Sequence, residues 1–157
     1  MPTFIAFWNI LKKDIENYYL KPPNISWGII FPLSWTLMQL IRSSGNIGIV
    51  ELLPGLMAMS VLFGTTSMLA VTITFEKRGR SFDRLLLAPI GISTLVFAKI
   101  LGAVIFGIVN AFVPVVFAEF FINLSGVNWG ITVIAVILIA ITSALLGLLI
   151  AISAKEV

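Results

Sequence analysis

Four long stretches of this chain carry no charged residue: 22–41, 52–75, 100–118 and 129–154. A run of about 20 apolar helical residues spans the hydrocarbon core of a bilayer, and lipid offers the backbone no hydrogen bonds, so each run must close its own as a helix. Soluble domains carry roughly 25% charged residues, whereas here 59% of residues are apolar and 11% charged. The runs therefore predict an all-α integral membrane protein, a single membrane domain over 1–157 with transmembrane helices at 25–42, 54–75, 92–119 and 129–154.

The segment before the first run has a different pattern. Phe4, Phe7, Trp8, Leu11, Ile15 and Tyr18 recur at helical spacing, while Asn9, Lys12, Lys13, Glu16 and Asn17 fall on the opposite side. An amphipathic helix of this kind lies in the plane of the interface, so residues 3–20 are expected to form an interfacial helix. Lys21-Pro22-Pro23 ends it, because proline cannot continue a helix. Pro32 predicts a kink in the first span and Pro114 one near the far end of the third. Lys99 and Glu119 bracket that third span at about 30 Å of helix, so both charges are expected to reach the headgroups by snorkelling.

Assigning the loops to alternate sides puts every Lys and Arg except Arg42 on one side. By the positive-inside rule that side is cytoplasmic, giving N-in and C-in termini in a multi-pass protein of the cell membrane. The bilayer explains the net charge of +3 without nucleic acid as a partner. Small residues form three stripes, Ser60 and Gly64 on the second span, Ala103, Gly107 and Ala111 on the third, and Ser143, Gly147 and Ala151 on the fourth. Such stripes allow close helix packing.

Few catalytic chemistries remain open. There is no cysteine and no histidine, which removes thiol nucleophiles, imidazole bases and the commonest metal ligands. No phosphate-cradling glycine loop, zinc-helix motif or nucleophile elbow is present. No catalytic residue, metal site or cofactor is assigned to the chain. The one dense charge cluster is the cytoplasmic loop 76–91, where Glu76, Lys77, Arg78, Arg80, Asp83 and Arg84 precede the breakers Pro89 and Gly91. Ser81 to Leu87 reads as a short amphipathic helix with Phe82, Leu85 and Leu86 on its apolar side. Basic residues beside a membrane bind anionic lipid, but the interspersed Glu76 and Asp83 suit a complementary protein surface better.

Several of these residues resemble a known family. Leu53-Pro54-Gly55-Leu56 opens the second span, Phe75-Glu76-Lys77-Arg78-Gly79 closes it, and Phe82-Asp83-Arg84-Leu85-Leu86-Leu87-Ala88-Pro89-Ile90 is followed by Lys99. This series is similar to the type 2 ABC transporter permeases, membrane subunits of ABC exporters, over nearly the whole chain. It departs from the family pattern at Arg80-Ser81 and at Asp83, which stands for the usual Glu. The resemblance implies that the 76–91 loop is a coupling helix docking on a separate ATPase subunit, which holds the ATP. Glu76, Lys77, Arg78, Arg80, Phe82, Asp83 and Arg84 would be its contacts. It also implies a second permease copy and alternating access, with no substrate selected, since the spans offer only neutral groups such as Gln39, Thr65, Thr66 and Asn110. Family members have roughly six spans, so the chain is expected to be the front part of a permease, with the last two spans elsewhere. The competing expectation is a four-helix membrane scaffold or assembly protein without transport activity.

Overall fold

A computed structural model describes residues 2–42, 49–79, 81, 85, 87, 90–120, 124 and 126–153. Every regular element among them is helical: α1 (Pro2–Asp14), a wider π-helical turn (Ile15–Tyr19), α2 (Pro22–Arg42), α3 (Ile49–Arg78), α4 (Ile92–Ala111), α5 (Val113–Glu119) and α6 (Trp129–Ser153).

Among the described residues, three helical stretches are long and apolar enough to cross a membrane: Glu51–Arg78, Ile92–Glu119 and Trp129–Ser153. The 21-residue α2 covers the expected first span but lies outside that set. Its Asn24, Ser34, Thr36 and Gln39 dilute the apolar run. Thr36 is nevertheless fully buried, and its hydroxyl donates to the Pro32 carbonyl one turn back at 2.7 Å. Ser60 and Thr72 of α3 use the same device, donating to the Leu56 and Met68 carbonyls. A hydroxyl that closes on its own helix leaves little unpaired in an apolar surrounding.

The helix α3 is the hub, with α2, α4, α5 and α6 all packed against it. Its 30 residues reach about 45 Å, well past the roughly 30 Å of hydrocarbon. Glu76, Lys77 and Arg78 thus prolong the second span as its last helical turn. The core where α3, α4 and α6 meet includes Val61, Leu69, Ile73, Ala103, Ala111, Val136, Ala140 and Ala144. Close approach there depends on missing side chains. A Cβ on Gly107 would overlap Thr65 Oγ1, and one on Gly147 would lie 2.8 Å from the Thr66 carbonyl oxygen. Across the second contact, the Thr66 hydroxyl donates to the Ser143 carbonyl at 3.0 Å. Ser60, Ala103, Gly107, Ala111, Ser143, Gly147 and Ala151 are buried and Gly64 half-buried.

The expected third span is one continuous apolar stretch in two helices, Ile92–Glu119. Pro114 has no N–H to give the Asn110 carbonyl four residues back, and α4 ends at Ala111 with α5 restarting at Val113. The first helix differs from expectation in rotation. Its inward face is Phe7, Ile10, Leu11 and Asp14, while Phe4, Ile5 and Trp8 face outward. The π-helical turn, closed by the Leu20 N–H on the Ile15 carbonyl at 2.9 Å, is the reason that Tyr19 is buried too. An added residue in the turn brings positions five apart onto one side. The Tyr19 ring stacks on Phe106 of α4 at 5.4 Å.

Candidate functional site

Asp14, at the end of α1, is fully buried, as are Glu76 of α3 and Lys99 of α4. Lys13 joins them with its side chain one-third exposed. The four groups form a ring of alternating charge. Lys13 Nζ donates to Glu76 Oε1 at 2.5 Å, Glu76 Oε2 lies 2.6 Å from Lys99 Nζ, Lys99 Nζ donates to Asp14 Oδ2 at 3.0 Å, and Asp14 Oδ1 lies 3.5 Å from Lys13 Nζ. Two ammonium groups face two carboxylates, so the ring is neutral.

Each position has a local cause. Lys13 and Asp14 are consecutive at the end of α1, where the π-helical turn directs the chain back into the bundle. Glu76 is held in the last helical turn of α3. Lys99 is about two turns into α4, beside Ala98 and Gly102, both buried. Burial alone would make every one of these charges costly, and mutual pairing offsets that cost. Burial lifts the Asp14 carboxyl above its ordinary range, and the nearby Glu76 charge adds to the rise while Lys99 opposes it. Burial pulls the Lys13 ammonium downward, but the Glu76 hydrogen bond and the charges of Glu76 and Asp14 outweigh it and raise it above the usual lysine value.

Surrounding contacts tie the ring to the loop that leaves α3. Lys13 Nζ lies 5.9 Å from the centre of the Tyr18 ring. Ser81, in that loop, donates to the Glu76 carbonyl at 3.2 Å. Leu85, also in the loop and helical, packs with Ile90 and Phe7 on a small core of Ile10, Leu95 and Ala98. The start of the loop, the end of α1 and the start of α4 therefore form one packed unit.

The residues expected at a docking surface take different positions. Glu76 faces inward, with its two oxygens paired to Lys13 and Lys99. Lys77 is half-buried and donates to the Ala151 carbonyl in the last turn of α6 at 2.9 Å, where a cation suits the helix end. Arg78 is exposed. Arg80, Phe82, Asp83 and Arg84 lie outside the described residues, as does Leu86 of the expected amphipathic face. Lys99 also departs from expectation. It is 1% exposed and turns into the bundle, because two carboxylates within 3.0 Å compensate it better than a climb of two turns to the headgroups. Asp14, absent from the sequence-derived candidates, is the ring's second acid. A lysine two turns inside an apolar run was the available signal, since an ionisable group at that depth implies a partner.

The ring's carboxylates are bound by lysines, and among the described residues no group of His, Cys, Asp and Glu has the spacing to hold a metal ion. Its ion pairs join α1, α3 and α4 at the base of one loop.

No curated protein and no solved structure matches the chain. The sequence profile of the ABC-2 type transporter family, in contrast, matches residues 5–157. That match takes in most of α1, the helices α2 to α6, and the loop with the ring at its base. The chain belongs to the ABC-2 type transporter family, as a permease-type membrane protein.

Proposed function

We propose that the chain is the permease subunit of an ATP-driven exporter. It works with a second permease copy and a separate cytoplasmic ATPase that docks on the 76–91 loop. In this reading α2 is the first of four spans, the termini and the loop are cytoplasmic, and the outward apolar residues of α1 rest in the lipid interface of the cell membrane. The basic bias of the loops supports the orientation. The observation that carries the coupling role is the neutral ring of Lys13, Asp14, Glu76 and Lys99. It joins the two ends of the loop to the interfacial helix through buried charge pairs, which resist separation more than apolar contacts that can slide.

A force applied to the loop then moves α1, α3 and the first turns of α4 as a unit. Closure of two ATPase subunits would displace two such units, and the permease halves would rock to open a central path outward. Packed interfaces with discrete arrangements transmit small displacements in this way. The close-packed small-residue contacts of α3 with α4 and α6 keep each half rigid during the motion. Arg78 is exposed at the loop's start and remains a docking contact in this reading, together with Arg80, Phe82, Asp83 and Arg84. Glu76 acts from behind the surface.

The test is co-purification from gently solubilised membranes with the tagged chain at native level. An ATPase subunit is expected with the wild type and is lost with Asp83→Ala combined with Arg84→Ala. Equal recovery of the ATPase with that double variant would show that the loop is not the docking element.

A further inference from the structure

A second feature lies away from the ion ring, between α2, α3 and α4. It is a cavity of about 260 Å³ opening at the molecular surface, walled mainly by apolar groups that include Phe31, Phe63, Met68 and Phe106. Four wall residues are polar, Asn24, Ser60, Ser67 and Asn110; the Asn24 amide and the Ser60 hydroxyl already donate to backbone carbonyls. Asn110 is 4% exposed, and its buried amide nitrogen has no hydrogen-bond partner among the described residues. The amide is wedged between two helices where only glycine leaves room. A Cβ on Gly28 of α2 would lie 2.9 Å from Asn110 Oδ1, and one on Gly64 of α3 would lie 2.8 Å from Nδ2.

A buried donor without an acceptor is unfavourable, and native structures rarely keep one without a reason. An apolar cavity with one unused polar group is the usual construction of a small-molecule site, where apolar contact supplies affinity and the polar group fixes orientation. Size limits the ligand. A 150 Å³ apolar cavity accepts benzene, so 260 Å³ takes roughly ten non-hydrogen atoms. Ser67 is exposed where it lines the cavity, which gives entry from the side of α3.

We propose that this cavity binds a small, mainly apolar molecule whose carbonyl-type oxygen accepts a hydrogen bond from the Asn110 amide nitrogen. The site goes beyond the exporter reading, because binding requires neither an ATPase nor transport.

The test uses the full chain in lipid nanodiscs with its methionine methyls labelled for NMR. Propiophenone and butylbenzene are the probes, each of roughly ten non-hydrogen atoms, one with a carbonyl and one without. Both are titrated to matched bilayer concentrations, and the shift of the Met68 methyl in the cavity wall is followed. Propiophenone is expected to half-saturate at about fivefold lower concentration, the worth of one net hydrogen bond. Asn110→Leu keeps the number of side-chain atoms, removes the donor and equalises the two probes. Ser67→Phe fills the entrance and abolishes the response to both, which keeps the test independent of any repacking around residue 110. Equal half-saturation in the wild type, a ketone preference surviving Asn110→Leu, or an unchanged response in Ser67→Phe would overturn the proposal. No ATPase is in the assay, so neither result bears on coupling.

Discussion

Removing Lys99 from the ring probes the fold where it is most exposed to a single change. Lys99→Met keeps the side chain's length and apolar stem and deletes its charge. Asp14 and Glu76 then remain buried with only the one-third-exposed Lys13 between them, and the ring becomes net negative. Breaking a buried pair from one side costs about 3–5 kcal/mol. A second route gives a similar figure. The variant can escape by protonating Asp14, whose carboxyl burial already raises from 3.8. Holding such a group neutral at pH 7 costs about 1.4 kcal/mol for each of the roughly three pH units between, or about 4 kcal/mol.

That second route fixes a pH signature. Along that route the folded variant keeps a proton that the unfolded chain releases above the ordinary value of 3.8. Its stability is therefore full below that value and falls as pH rises toward the raised folded value, at about 1.4 kcal/mol per pH unit. Equilibrium unfolding in bicelles at pH 5, 6 and 7 measures this directly. The deficit relative to wild type is expected to be about 4 kcal/mol at pH 7 and to shrink by roughly 2–3 kcal/mol at pH 5. Adding Asp14→Asn restores neutrality and recovers most of the loss at pH 7. A deficit below about 1 kcal/mol at pH 7, the range of an exposed ion pair, and unchanged at pH 5, would refute the buried ring.

Other substitutions test the packing around it. Gly147→Ala places a Cβ 2.8 Å from the Thr66 carbonyl, which is backbone and cannot turn aside, so unfolding measurements should show a loss of about 1–3 kcal/mol. Gly55→Ala, with nothing within 4 Å of its Cβ and inside α3, should instead gain up to about 1 kcal/mol. Lys77→Met removes the ammonium from the Ala151 carbonyl and should cost about 0.5–1.5 kcal/mol. Hydrogen exchange should localise that loss to the last turn of α6.

What the sequence announced and what it concealed have physical explanations. The apolar runs and the prolines placed the helices, because a span must close its own hydrogen bonds and a proline cannot donate one. Pro114 marked the break after Ala111 for that reason. The end of α3 was set too early, at 75, because Glu76 to Arg78 read as loop charge. Each of these charges has a use in the fold or at its surface: Glu76 in the ring, Lys77 on α6, Arg78 outward. On α1 the apolar stripe divides, Phe4 and Trp8 facing outward while the inward face carries Asp14, a split that helical spacing alone does not reveal. The ring joins residues 63 and 85 positions apart, so no local pattern contains it. Lys99 alone hinted at it, by its depth in an apolar run.

In the proposed mechanism the 76–91 loop meets an ATPase while the ring behind it carries the displacement inward. A photo-crosslinking residue in place of the exposed Arg78 tests the meeting most directly, in native membranes and with the ring intact. An adduct between the chain and an ATP-binding subunit is expected, and none when the same residue replaces the outward-facing Trp8. Adducts from position 78 that contain only lipid would contradict it.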